Sequence, residues 1–180
     1  AFRASCMLPN SIRTFAERYP GVQIEICTDK IEALRTKLKE RQIDVCIELD
    51  SFDPGTCDIE ELGKEFNYLA IPKEHPINDK WKDKCLTTDD MIRCNDKLDS
   101  VETVDLAEVV NEDFVYMSTD SGFYKPYLHM CLEAGVVPKM VLETEQIETA
   151  FHWANSNMVL ALLPDTLIRW FGGYIQNACY

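Results

Sequence analysis

The first fifty residues alternate between two hydrophobic periods, and that alternation leaves few architectures open. Leu8, Ile12, Phe15 and Tyr19 recur at helical spacing with Asn10, Arg13, Glu17 and Arg18 between them, which predicts an amphipathic helix stopped near Pro20-Gly21. Val22, Ile24 and Ile26 alternate with Gln23 and Glu25 as a half-buried strand does. Asp29, followed three residues later by Glu32, has the spacing of a capping box for a second helix whose buried stripe is Ile31, Leu34 and Leu38. Val45, Ile47 and Leu49 mark another strand. Helix, strand, helix, strand with short connections favours parallel strands joined by right-handed crossovers, so an open α/β sheet is expected.

The pattern pauses and resumes. After a turn at Phe52-Asp53-Pro54-Gly55, residues Phe66 to Ile71 read as a strand running into Pro72 and Pro76. From Asn78 to Asp113 the chain is polar and predominantly acidic, with Trp81, Met91 and Ile92 as the expected anchors of short surface helices. A second α/β stretch follows: strand at Phe114 to Met117, helix from Phe123 to Ala134 ending at Gly135, strand at Met140 to Leu142, and helix from Ile147 to Ala154. Leu160 to Leu163 is the last strand, and Asp165 is the expected N-cap of a final helix through Trp170.

Charge and cysteine use narrow the function classes. The net charge is −13, from 18 basic against 31 acidic residues, whereas a phosphate-binding surface needs clustered Lys and Arg; this chain is not expected to bind DNA by itself. The longest apolar run, Met158 to Leu163, is strand-sized and closed by Pro164, so no helical membrane span is expected. Eight cysteines, at positions 6, 27, 46, 57, 85, 94, 131 and 179, form no CxxC pair, and Cys27, Cys46 and Cys131 sit inside apolar periodic segments. They read as reduced thiols and imply a cytoplasmic location. A redox reading attaches to Cys6, near an expected helix start, and to Cys85 and Cys94 in the acidic stretch. His75, His129 and His152 are too dispersed to outline a metal site with the cysteines, so no metal or other cofactor is expected. The sequence contains no nucleophile elbow, phosphate loop or triad spacing, and no enzyme activity is expected.

Leu8-Pro9, Ile12, Phe15, Tyr19-Pro20, Val22, Ile24, Leu34, Leu38, Ile43-Asp44 and Ile47 together resemble the start of the effector-binding domain of LysR-type transcriptional regulators. Further along, His75-Pro76-Ile77, Gly135-Val136-Val137-Pro138 and Val159 to Pro164 look like that family's histidine-proline step, glycine-x-x-proline and closing strand. Two departures stand out. Asn157 and Val159 occupy the places of the family's Gly-x-Gly, and of these only Asn readily accepts the left-handed backbone a glycine supplies. The acidic stretch of about 78–104 is longer than the family's usual link and reads as an insertion.

The resemblance implies an α/β fold of two Rossmann-like lobes, periplasmic-binding-protein-like (type II), with a double crossover. Lobe I would comprise residues 1–72 plus 159–180, and lobe II residues 73–158. It also implies that a small-molecule effector binds between the lobes, that the domain forms a homodimer and the full-length protein a higher oligomer, and that DNA is contacted only through an N-terminal winged helix-turn-helix absent from this chain. Dimerisation would use Leu8 to Tyr19 and Val22 to Cys27. Matching positions assign ligand contacts to Ser5 and Cys6 ahead of the first helix, Thr28 ahead of the second, and Glu48 at a strand end. Lobe II would add Ser118, Thr119, Ser121 and Phe123, with Thr144 and Glu145.

Hydroxyls and backbone N–H groups at helix starts suit a carboxylate, and Phe123 suits an apolar or aromatic portion. Each residue also has a plainer role open to it: Thr28 as a cap, Ser118 to Ser121 as a turn, Phe123 as core. Glu48 and Glu145 would repel an acid unless paired or protonated, which leaves a zwitterionic or cationic ligand open. A solute-binding protein for transport shares the fold and is the alternative function.

Overall fold

Helix α1 runs Phe2–Arg18 in the computed structural model, which describes residues 2–49, 55–93, 102–172 and 178–180. Residues 3–64 form one unit, and Phe2 with residues 65–180 forms another. In the first unit α1 begins six residues before the expected start at Leu8 and carries Pro9 inside it. Proline removes one helical N–H, and a sequence reading therefore places it at a helix start. Leu8 and Ile12 are half-buried while Phe15 and Tyr19 are exposed, their rings 4.9 Å apart.

Helix α2 is Ile31–Lys39. Its N-cap is Lys30, not Asp29, and no side chain caps it. The Asp29 carboxylate accepts instead from the Lys30 N–H at 2.9 Å and from Lys37 Nζ at 2.8 Å, an ion pair that holds Asp29 below the usual carboxylate range. Ile31, Leu34 and Leu38 share one face and are half-buried. The segments expected as strands at Val22 to Ile26 and Val45 to Leu49 form no strand here, and their apolar side chains are exposed, from 38% at Ile47 to 75% at Val45. Alternation states which face of a strand is apolar; a strand also needs a neighbour to take up its backbone N–H and C=O groups. The turn at Phe52-Asp53-Pro54-Gly55 lies outside the described residues apart from Gly55.

The second unit follows the expected pattern closely. Strand β1 (Asn67–Pro72) lies between β4 (Ala161–Pro164) and β5 (Ala178–Cys179), antiparallel to both. Strands β2 (Asp113–Met117) and β3 (Lys139–Thr144) pair in parallel, with a register shift between Phe114 and Val115. A single parallel bridge, Phe114 to Leu160, joins β2 to the residue just before β4. Helix α3 is Thr88–Arg93, α4 Tyr124–Glu133, α5 Ile147–Asn155 and α6 Asp165–Phe171. Among the described residues of the acidic stretch, 3-10 turns span Pro76–Asp79 and Leu106–Val109; Cys94 lies outside them. Trp81 and Met91 are buried as expected, whereas Ile92 is exposed.

Two local corrections have a physical cause. Asp165 is the first residue of α6 and not its cap: its Oδ1 accepts from the Phe66 N–H at 3.2 Å, and its other oxygen pairs with Arg169 at 3.0 Å. An Asp at this place thus ties the helix start to the chain entering β1. Helix α4 ends in a Schellman arrangement, with Gly135 N–H donating to Leu132 O and Val136 N–H to Cys131 O; Gly135 has a φ of +65°, which glycine takes without steric cost. Asn157 also takes a left-handed φ of +57°, and Val159 does not.

Phe114, Phe151, Met91, Leu160, Leu163, Leu167 and Ile168 are fully buried and form the bulk of the interior of this unit. Burying side chains of this size contributes roughly 1.5–3 kcal/mol each before the entropy of ordering is subtracted.

Candidate functional site

The carboxyl ends of β2 and β3 lie side by side, because the parallel register sets Met117 opposite Thr144. Ser118 continues the ladder by donating its backbone N–H to Thr144 O at 2.9 Å. The chain then turns sharply: Ser121 N–H and Tyr124 N–H donate to Ser118 O and Ser121 O, and Ser121 Oγ accepts from Phe123 N–H at 3.3 Å. Phe123 is the N-cap of α4, whose first turn carries no acidic residue. On the β3 side the Thr144 hydroxyl accepts from Gln146 N–H at 3.1 Å, a turn that leads into α5.

This corner brings six of the expected residues together. Ser118 is buried, Ser121, Phe123 and Thr144 are half-buried, and Thr119 and Glu145 are exposed. One side chain in the corner is left unsatisfied. Ser118 is only 9% exposed, and its hydroxyl is buried without a hydrogen-bond partner, a group that costs free energy until something satisfies it. The N–H groups of a helix start and its positive dipole end favour an anion beside it. Behind the corner, Tyr116 OH donates to Glu143 at 2.8 Å across the two strands, and that hydrogen bond raises the Tyr116 phenol above its ordinary value.

The expected residues of the first unit are placed differently. Ser5 and Cys6 lie inside α1, not ahead of it, because the helix starts at Phe2; Cys6 therefore lacks the helix-start position on which its redox reading rested. Thr28 is exposed and does not cap α2, which is entered through Lys30. Glu48 is held by Arg35 in a forked pair, with Nη2 to Oε1 at 2.7 Å and Nε to both carboxylate oxygens at 3.2 and 3.3 Å. The Glu48 side chain is 6% exposed, so its charge is matched within its own unit and does not stand against an acidic ligand.

Arg35 is the residue that sequence reasoning missed here, since the pair spans thirteen positions and no local rule links them. Gln146 was missed as well, although a threonine two residues before a helix N-cap is a readable turn signal. A separate cavity of about 270 Å³ opens at the amino ends of β2 and β3, lined by His75, Glu112, Asp113 and Lys139 among others. His75 Nδ1 accepts from the Ile77 N–H, which leaves Nε2 as the protonated nitrogen, 3.3 Å from Glu112. No group of metal-ligating side chains occurs among the described residues.

A family model described as "LysR substrate binding domain" matches residues 3–173. This chain belongs to that family. Among curated relatives, the LysR domain is similar to the uncharacterized HTH-type transcriptional regulator YcgK of Bacillus subtilis, 22% identical over 163 residues, which are 91% of this chain and 49% of that protein. It thus spans about half the length of the curated relatives it matches. Among solved structures it resembles HinK, a LysR family transcriptional regulator from Pseudomonas aeruginosa, with a TM-score of 0.67, 18% identity, and coverage of 91% of this chain and 49% of that one. The effector binding domain of QuiR in complex with shikimate gives a TM-score of 0.63 at 14% identity, covering 90% and 68%. The fold is accordingly that of LysR effector-binding domains, type II periplasmic-binding-protein-like and mixed α/β.

Proposed function

We propose that this LysR substrate binding domain senses a small carboxylate-bearing molecule for a longer transcriptional regulator, using the corner formed by Ser118, Ser121, Phe123 and Thr144. The buried, unpartnered Ser118 hydroxyl carries the reading, because it sits at the carboxyl ends of parallel strands, where open α/β sheets take their ligands. The QuiR domain, which shares the fold, holds shikimate. Binding is noncovalent, the regulator acts in the cytoplasm, and DNA is contacted through a segment outside this chain. In this reading lobe I comprises residues 1–72 plus 159–180, and lobe II residues 73–158. The relatives are regulators and not enzymes or transport proteins, and no observation favours the solute-binding alternative.

Calorimetric titration against panels of organic acids, amino acids and amines tests the proposal. Acids or amino acids bind, and Ser118→Ala weakens the best of them about tenfold, the worth of one hydrogen bond to a charged group. Binding by amines alone, or affinity unchanged in Ser118→Ala, overturns it.

The dimer forms, in this reading, through α1 and the segment 22–27. Phe15, Tyr19, Val22, Ile24 and Ile26 are exposed there within twelve residues of chain, an apolar run that soluble surfaces seldom leave uncovered. Sedimentation equilibrium is expected to give a dimer for the domain and a monomer for Phe15→Glu. A monomeric wild type at high concentration, or a dimeric variant, removes this surface from consideration.

A further inference from the structure

Two cysteines that lie far apart in sequence are neighbours in the second unit. Leu86 N–H donates to Tyr180 O at 2.6 Å and Tyr180 N–H to Leu86 O at 3.0 Å, so the two residues exchange both hydrogen bonds of a narrow antiparallel pair. Cys85 and Cys179 each precede that pair by one residue. In that antiparallel register Cys85 and Cys179 occupy diagonal positions flanking the Leu86–Tyr180 pair. The Cys179 thiol is near enough to act on that of Cys85. Both are free thiols and half-buried, within reach of a small oxidant. Cys85 packs against the core of Leu69, Ile71, Trp81, Val109, Phe114 and Leu160, while Cys179 lies on β5 opposite Ile71 of β1.

We propose that Cys85 and Cys179 form a reversible disulfide on exposure to a hydroperoxide, fastening the last strand to the chain ahead of α3. One thiol sulfur attacks the O–O bond, which breaks; an alcohol leaves, or water when hydrogen peroxide is the oxidant, and that sulfur becomes a sulfenic acid. The second sulfur displaces its oxygen as water and the S–S bond forms. The two sulfurs lose two electrons, the peroxide gains them, and both thiol protons end in the released products. Burial, and then the adjacent Cys179, push the Cys85 thiol up to about 11. Cys85 therefore remains protonated at neutral pH. Closure quickens as pH rises towards that value.

The bond would close a loop of about a hundred residues and pin both edges of β5, one against β1 and the other against residue 86. Loops of that length give disulfides near the upper end of their usual effect, a rise in Tm of roughly 5–15 °C. The test treats the full chain with hydrogen peroxide, alkylates the remaining thiols, and maps the linked peptides by mass spectrometry alongside a thermal melt. A Cys85–Cys179 peptide pair, a higher Tm reversed by dithiothreitol, and loss of that shift in Cys85→Ser and in Cys179→Ser support the proposal. Both residues still alkylated after other thiols have oxidised, or either one linked to a different cysteine such as Cys94, overturns it. The wild-type peptide map decides the matter even if a variant fails to fold.

Discussion

Replacing Phe114 by alanine is expected to lower the unfolding free energy by about 3–5 kcal/mol, the usual cost of truncating a large core aromatic. Phe114 is fully buried among Leu69, Ile71, Trp81, Val109 and Leu160. It also stands where the two sheets meet, flanked by hydrogen bonds from Val115 N–H to Leu160 O at 3.0 Å and from Leu160 N–H to Asp113 O at 2.8 Å. Neighbours held by backbone bonds on both sides have little freedom to collapse into the space, which places this site towards the costly end of the range. Urea unfolding followed by circular dichroism measures the loss. Phe15→Ala is the control: its ring is already 42% exposed, and its truncation is expected to cost well under a third as much in the monomer. Equal losses at the two positions would mean that the buried cluster is not the core of this unit.

The second large effect is expected at Arg35. Changing it to methionine keeps the stem and removes the forked guanidinium, leaving the Glu48 carboxylate, 6% exposed, without its counter-charge. Stranding one member of a buried pair costs about 3–5 kcal/mol, and Arg35, itself 31% exposed, places the estimate here at roughly 2–4 kcal/mol. A double-mutant cycle with Glu48→Gln checks it: the amide removes the charge, so the double variant recovers part of the loss. Additive losses would show that Glu48 was never dependent on Arg35. Hydrogen exchange in residues 31–49 is the more local readout, since both partners lie in that stretch.

Both predictions depend on partners far apart in sequence, and so do the places where sequence reading and structure part. The helices α4, α5 and α6 and the strands β1 to β4 stand within two residues of where hydrophobic period and turn residues place them. Local spacing sets them, with Gly135 closing α4 and Pro164 closing β4, and such signals survive folding. The segments around Val22 to Ile26 and Val45 to Leu49 have the same alternation but form no ladder, because pairing is supplied by another stretch of chain and not by the alternation itself. At the candidate site, Ser118, Ser121 and Thr144 were legible as hydroxyls at strand ends. That the Ser118 hydroxyl ends buried without a partner was not legible, since burial and satisfaction belong to the packed chain.

The sequence by itself determined the family, the order of most helices and strands in residues 65–180, an acidic character unsuited to DNA, and the hydroxyls that gather at the ends of β2 and β3. All of these follow from spacing and composition within a short window of chain. Only the tertiary structure decided that Glu48 is answered by Arg35, that Asp165 anchors the entry to β1, and that Cys85 and Cys179 flank the Leu86–Tyr180 pair. Each of those contacts joins residues between thirteen and ninety-nine positions apart or farther than any local rule reaches, and its energy comes from desolvated charge or sulfur held in a packed surround.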